Sequence, residues 1–238
     1  MLPQTAIIRT DQPRHFVSPK RSPRPEVRTL RATNGAESLE QSLALMGATM
    51  SYPRNTEIFG EGEPTDYLYK VGSGSVRTYK ILSDGRRQIG GFYLPGDVFG
   101  LESADEHTFS AEAITDAKLL VVKRSAVAAL ASRDAGIARE LFNLTGRELR
   151  RMQERMLLLV KSAQERVASF LLEMAERASA GNIVELPMSR QDIADYLGLT
   201  IETVSRTLSG LENAAAIEVP TSRRIVLRNR PALNQLNS

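Results

Sequence analysis

The stretch at residues 189–211, SRQDIADYLGLTIETVSRTLSGL, constrains this chain most. Its apolar residues recur at helical spacing on two faces, first Ile193, Ala194 and Leu197, then Val204, Leu208 and Leu211, with Gly198 between them. Ser189 is placed to cap the first helix, with Asp192 three residues on, and Thr200 to cap the second. The small Ala194 lets two such helices approach closely, and glycine at 198 permits the left-handed backbone that a tight turn requires. The pattern predicts a helix-turn-helix. In that motif the second helix enters the DNA major groove, which turns Ile201, Glu202, Ser205 and Arg206 toward base edges. The arginine offers a bidentate pair to guanine O6 and N7, the glutamate accepts from cytosine N4, and the isoleucine rests on thymine methyls. The competing reading is a helical hairpin that only packs, with Glu202 and Arg206 an i,i+4 surface ion pair.

The flanks extend the motif. Residues 216–219 and 224–227 read as short strands joined at Pro220-Thr-Ser-Arg223, the wing of a winged helix, with Arg223 and Arg224 near its tip. Those arginines, together with Ser189, Arg190, Thr200 and Thr203, are candidates for phosphate contacts, which fix register without reading sequence. Upstream, 162–177 reads as a helix with Val167, Phe170, Leu171 and Met174 inward. A break at Ala180-Gly181-Asn182 and a short strand at 183–186 follow, and Pro187 leads into the motif.

Residues 135–160 read as one long helix on which Thr145, Leu149, Met152, Met156 and Leu159 follow a 4,3,4,3 spacing, the seam of a paired helix. Leu149, Met152, Met156 and Leu159 are thus candidate contacts of a homodimer. The alternative is that the stripe packs on the N-terminal half of its own chain, because two heptads fall short of the three or four that a coiled coil usually shows. Arg147, Glu148, Arg150, Arg151, Glu154 and Arg155 fill the other faces, which suits a partly exposed helix.

Nine of the sixteen glycines lie between Gly60 and Gly100, among alternating segments at 67–71, 75–82 and 87–93, with another at 117–122. Turns at Gly62, Gly72-Ser-Gly74, Asp84-Gly85 and Pro95-Gly96 predict a compact antiparallel barrel or roll, a candidate sensor unit. Residues 37–50 read as a short helix with Leu39, Leu43 and Met46 on one face. The first 35 residues hold five of the eleven prolines and seven Lys or Arg against two acids, the composition of a disordered basic tail. Such a tail is either an inert solvated extension or a source of sequence-independent attraction to phosphates. The expected units are therefore a tail at 1–35, a roll at 36–133, a pairing helix at 134–161 and a DNA-binding unit at 162–238.

Composition narrows the function. The 238 residues, 42% hydrophobic, suffice for two cores. The absence of cysteine excludes disulfides, thiolate zinc sites and cysteine-held iron–sulfur clusters, and His15 and His107 are too few for a histidine metal site. With those two histidines in unrelated segments, no nucleophile–base–orienter set assembles, and Asp105 and Glu106 read as solvated loop carboxylates, so an enzyme is not expected. No apolar run of 18 residues and no apolar leader appear, which leads to the expectation of a cytoplasmic chain with no membrane span. A net charge of +3 and a pI near 9.3 permit nucleic-acid binding without demanding it.

A glycine-punctuated roll, a pairing helix and a winged helix bearing RQDIADYLGLTIETVSRTLS, in that order over roughly 37–230, resemble the CRP/FNR family of bacterial transcription regulators. The segment ILSDGRRQIGGFYLPGDVFGLE at 81–102 and ETVSR at 202–206 are most similar to its FNR and FixK branch. The resemblance implies an α+β chain: a cyclic-nucleotide-binding-like double-stranded jelly roll, a dimerisation helix and a C-terminal winged helix-turn-helix. It implies a homodimer on double-stranded DNA in which Glu202, Ser205 and Arg206 read a palindromic TTG-type site, and an activator that contacts RNA polymerase, with the loop at 84–86 one candidate surface. Ile201 stands where the cyclic-AMP branch has arginine, so a different half-site is implied. That branch clamps the nucleotide phosphate with an Arg-Ser pair, for which alignment on Ala113-Ile-Thr-Asp-Ala puts His107 and Thr108 here. Bidentate phosphate recognition needs the arginine fork. The resemblance therefore implies no cofactor and a regulator without effector, as in FixK proteins of microaerobic respiration and nitrogen fixation; a small-molecule-gated regulator with its ligand in the roll is the alternative. Ser189 stands about where some relatives carry a reactive cysteine.

Overall fold

Alternation puts Val71, Val76, Ala111, Ala113, Leu119 and Val121 on the inward sides of their strands, all fully buried, and eight strands close around them. The computed structural model describes residues 38–158, 160–177 and 181–237. One sheet has the order β1 (Ala48–Tyr52), β8 (Ala117–Lys123), β3 (Tyr67–Ser73), β6 (Val98–Phe99), and the other β2 (Glu57–Phe59), β7 (Ser110–Ala113), β4 (Val76–Ile81), β5 (Arg87–Tyr93). All pairings in both sheets are antiparallel, with Tyr69 opposite Val121 and Thr78 opposite Ala111. Phe59, Tyr69 and Phe99 pack ring on ring inside, with centroids 5.3 Å and 5.1 Å apart. This is the expected roll, in an α+β chain.

Helices fasten to the roll through a separate cluster. Leu39 and Leu43 of α1 (Leu39–Met46), Val127 of α2 (Arg124–Ala131) and Ile137 of α3 (Ala135–Leu158) bury against Leu68 and Val122. Next come α4 (Ala163–Arg177), β9 (Ile183–Glu185), α5 (Arg190–Leu197), α6 (Ile201–Asn213), β10 (Ile217–Thr221), β11 (Arg224–Leu227) and α7 (Arg230–Asn237), with a wing sheet of order β10-β11-β9. Asp97 binds the roll to two helices: its carboxylate caps the 95–96 turn by accepting from Leu94 N, and it receives Arg151 of α3 at 3.1 Å and Arg177 of α4 at 2.6 Å.

Several boundaries differ from the sequence reading. The helix expected at 37–50 stops at Met46, because Gly47 presses on Leu120, where a Cβ would come within 2.6 Å, and 48–52 then ladder onto β8. The strands β2 and β6 are too short for alternation to register, and β7, Ser-Ala-Glu-Ala, lacks branched or aromatic residues. The short α2 and α7 also went unread. The strand expected at 75–82 is Val76–Ile81, and that at 183–186 is Ile183–Glu185. The turn expected at 220–223 is shorter, since β10 runs through Pro220 to Thr221; it lies at the sheet edge, with a register shift there, where a missing N–H is tolerated. The long helix ends at Leu158 and the next begins at Ala163. The expected basic tail at 1–35, the start of the 37–50 helix, Leu159 and Ala180 lie outside the described residues.

Gly74 and Gly85 provide a paired test. Both have left-handed backbone, φ 79° and 82°, but a Cβ on Gly74 would meet the Asp116 carbonyl at 2.3 Å, whereas nothing lies within 4 Å of one on Gly85. Gly85→Ala should cost about 1–2 kcal/mol from backbone strain alone, and Gly74→Ala clearly more in urea unfolding. Equal losses would contradict the β3–β4 turn described here.

Candidate nucleic-acid interface

The motif closes through its own caps. Ser189 has extended backbone and its hydroxyl accepts from Asp192 N at 3.1 Å, while Asp192 Oδ2 accepts from Ser189 N at 3.0 Å, so two otherwise unmet donors satisfy each other's residues. Gly198 ends α5 in the left-handed region, φ 64° and ψ 39°, and its N–H bonds the Ala194 carbonyl. Thr200 then caps α6 by accepting from Thr203 N at 3.2 Å. Ile193, Ala194 and Leu197 bury against Val204, Leu208 and Leu211 in one cluster, as the periodicity predicts.

Burying that face leaves the other to solvent. Ile201, Glu202 and Arg206 are exposed and Ser205 half-buried. The Glu202 backbone N–H and the Thr200 hydroxyl, with a smaller contribution from Arg206, hold the Glu202 carboxyl below its ordinary range, so it is a carboxylate able only to accept. Arg206 Nη2 reaches Thr203 Oγ1 at 3.5 Å, a weak contact that leaves the guanidinium fork available. Arg190 donates to Ser205 Oγ at 3.3 Å, which draws a residue read as a phosphate candidate to the edge of the α6 face.

The remaining phosphate candidates fall at the start of α6, at the start of α5 and in the wing. Ser189, Thr200, Arg223 and Arg224 are exposed, and Thr203 is half-buried. Arg223 donates to the Pro187 carbonyl at 3.0 Å and its own carbonyl accepts from Leu186 N, which brings the wing beside the N-terminus of α5. Arg224 lies opposite Glu185 on β9 and pairs with it at 3.5 Å.

On α3, Leu149, Met152 and Met156 are 57%, 57% and 68% exposed, so packing on their own roll leaves more than half of each uncovered, although all three also line a cavity beside the roll. Phe142, 77% exposed, extends the same 3,4 alternation one step toward the N-terminus. The sequence reading stopped at Thr145 and missed it. Between the roll, α3 and α5 lies a cavity of about 600 Å³, lined by Ile89, Tyr93, Phe99, Phe109, Met152 and Tyr196 among others. Where the arginine fork would be needed, His107 is buried, stacked face to face on Phe59 at 3.6 Å, with Nδ1 3.4 Å from Glu102. Arg155, which lines the cavity, is engaged: both terminal nitrogens donate to the Gly90 carbonyl, and the guanidinium lies 4.7 Å over the Tyr196 ring. Among the described residues, no group of three or more His, Cys, Asp or Glu is placed to hold a metal ion, and no helix is long and apolar enough to cross a membrane.

Asp192 does more than the cap its spacing indicates. Its Oδ1 accepts from Arg77 of β4 at 3.0 Å and Arg87 of β5 at 2.6 Å, across the junction between roll and helix-turn-helix. Nothing in the sequence marks those arginines, because strand alternation says which face a residue takes but not which distant carboxylate meets it.

Comparison with known proteins agrees with this geometry. Residues 165–236 match the Crp-like helix-turn-helix domain, and 49–134 the cyclic nucleotide-binding domain. The nitrogen fixation regulation protein FixK of Azorhizobium caulinodans is 50% identical over 204 residues, 83% of this chain and 82% of that protein. FixK of Rhizobium meliloti is 42% identical over 187 residues, 78% of this chain and 85% of the other. Among solved structures, FixK2 from Bradyrhizobium japonicum superposes with a TM-score of 0.78 at 52% identity, covering 81% of this chain and 98% of that one.

The Asp192 contacts carry a pH signature. Burial alone raises this carboxyl, but Arg77, the Ser189 N–H and hydroxyl, and Arg87 together outweigh it and hold it below the ordinary 3.8. A depressed folded-state value adds stability that is fully present above 3.8 and is lost as pH falls through the lower folded value. The stability gap between the wild type and Asp192→Asn should therefore be constant near neutrality and shrink below 3.8. A gap that stays constant on acidification would contradict the ion pairs.

Proposed function

Because the chain belongs to the CRP/FNR family, as a transcription regulator of the FixK group with a helix-turn-helix DNA-binding domain, we propose that it acts as a homodimer on a palindromic TTG-type site and activates transcription without an effector. The observation that carries this reading is the α6 face: a carboxylate, a hydroxyl and a free guanidinium fork, presented together on a buried, doubly capped scaffold. In it Arg206 pairs with guanine, Glu202 accepts from cytosine, Ser205 bonds a neighbouring base and Ile201 covers a thymine methyl. Ser189, Arg190, Thr200, Thr203, Arg223 and Arg224 hold phosphates and set register.

The exposed stripe of Phe142, Leu149, Met152 and Met156, with Leu159 continuing the spacing, supports pairing of two α3 helices. Working units at 36–133, 134–161 and 162–238 then serve as roll, dimer helix and reader. The names of the FixK relatives support a role in regulating nitrogen fixation genes, and a role in microaerobic respiration is proposed with it. The chain works in the cytoplasm, and RNA polymerase is the second partner, with the exposed Asp84–Arg86 pair on the β4–β5 hairpin a contact candidate. The second reading, a small-molecule-gated regulator, rests on the 600 Å³ cavity. Its largely apolar and aromatic lining, with Arg155 already engaged by the Gly90 carbonyl, disfavours an anionic nucleotide there.

Selection from random duplexes tests the reading: TTG-armed palindromes should be enriched, and enrichment of asymmetric or unrelated sites would overturn it. Met152→Glu should give monomers that bind DNA poorly, since pairing would bury an unpaired charge at a cost of several kcal/mol; an unchanged dimer mass in sedimentation would refute the seam. Arg206→Ala should cost about 1–3 kcal/mol per half-site and flatten preference at one base pair. Arg223→Ala should weaken all sequences alike and lower the salt slope by about one. The two assignments fail if both variants show the same pattern in salt-controlled competition.

A further inference from the structure

We propose that Arg77 and Arg87 of the roll and Arg155 of α3 are positioning residues for DNA recognition, which clamp α5 and thereby fix the direction in which α6 is presented. The inference rests on the reading of this chain as a dimer on paired half-sites. None of the three arginines lies on the α6 face or in the wing; each acts through another residue.

The helix-turn-helix moves as a unit, because α5 and α6 share buried faces across a single left-handed glycine. Whatever holds α5 therefore aims α6. Three contacts hold it. Asp192 accepts from Arg77 and Arg87 together, and Arg77 is itself held by Glu112 of β7 at 2.5 Å; the side chains of Arg77, Glu112 and Asp192 are only 12%, 7% and 5% exposed. Asp195, the next α5 residue on that side, accepts from Arg87 Nε at 2.7 Å, and its backbone carbonyl accepts from Gln88 at 2.8 Å. One helical step further, Tyr196 lies under Arg155, which is tied to the Gly90 carbonyl, and packs on Phe92 with centroids 5.1 Å apart.

These groups anchor in adjacent paired strands, with Arg77 opposite Phe92 in the β4–β5 ladder and opposite Glu112 in the β4–β7 ladder. The anchor is thus as stiff as the sheet. A desolvated ion network contributes less net stability than an apolar contact of the same size, but it is directional: only one placement of α5 lets a single carboxylate oxygen meet two guanidinium groups. The clamp is built from the chain's own residues and engages α5 alone, leaving Ile201, Glu202 and Arg206 exposed.

A fixed aim has a consequence that a merely packed interface lacks. Each added base pair rotates one half-site about the DNA axis by about 34°, so two rigidly held recognition helices tolerate only one half-site spacing. Freely hinged ones accept several.

The test titrates the full chain, at one salt concentration, against duplexes carrying a single TTG half-site or two half-sites at the selected spacing and at one and two base pairs more. Wild type should favour one spacing by about tenfold or more over its neighbours. Arg87→Gln should keep single half-site affinity while spacing preference drops to about threefold or less, and Arg87→Lys, which keeps a cation beside Asp192 and Asp195, should retain part of it. Gln88→Ala, which removes one bond without stranding a charge, gives a smaller loss in the same direction and carries the test if the Arg87 variants do not fold. The proposal falls if Arg87→Gln and Gln88→Ala keep full spacing preference, if they bind every duplex more tightly, as release of an inhibitory contact would give, or if single half-site affinity falls in parallel and Arg87→Lys recovers none of the spacing preference. Wild type that does not distinguish two half-sites from one would instead overturn the dimeric reading itself.

Discussion

Asp192 is the residue on which the geometry of this molecule turns. One carboxylate closes the N-terminus of α5 with Ser189 and receives Arg77 and Arg87 from the roll. It is almost fully buried, and an unpaired charge at that depth would be strongly destabilising, so the pairing is obligatory in the folded state. Apolar packing runs through the same junction. A single buried cluster extends from Ile89 and Phe92 of β5 through Phe170 of α4 to Val204 and Leu208 of α6. Packing supplies the cohesion and the ion pairs supply the direction.

At that junction the chain's own side chains bridge roll and reader. His107 stacks on Phe59 and turns toward Glu102, and Arg155 donates its terminal nitrogens to the Gly90 carbonyl. The cavity's lining is dominated by apolar and aromatic side chains, and its one arginine among the described residues, Arg155, is held by the Gly90 carbonyl. A nucleotide phosphate would find no arginine fork at His107 and would have to break the Arg155 contact to gain one. The architecture of a nucleotide-binding roll is kept, with a largely apolar cavity between it, α3 and α5.

Much of this was legible in the sequence. Period and capping residues located α5, α6 and the turn at Gly198, since those features are local and each has one physical cause. Four strands of the roll were read from alternation and glycine turns. Very short β2 and β6 carry too little pattern, the short helices α2 and α7 are not evident from it, and 48–50 read as a continuation of the first helix because nothing local shows that Gly47 faces Leu120, a contact visible only in three dimensions. The site divides likewise. The α6 face follows from periodicity, whereas the partners of Asp192 and Asp195 lie about a hundred residues away, and no local pattern links Arg77 or Arg87 to them. The exposed stripe on α3 lies between these cases: its spacing was readable from Thr145 onward, but Phe142 joined it only once the helix showed which face was bare.

The central claim is that the chain's own side chains, not a bound molecule, hold the reading helix ready for DNA. It is tested most directly by titrating the selected operator with protein shown by native mass spectrometry to carry no ligand, with and without millimolar cyclic AMP. The account predicts the same tight, sequence-specific affinity in both titrations. Binding that appears only when the nucleotide is added, or that tracks a small molecule copurified with the protein, would contradict it.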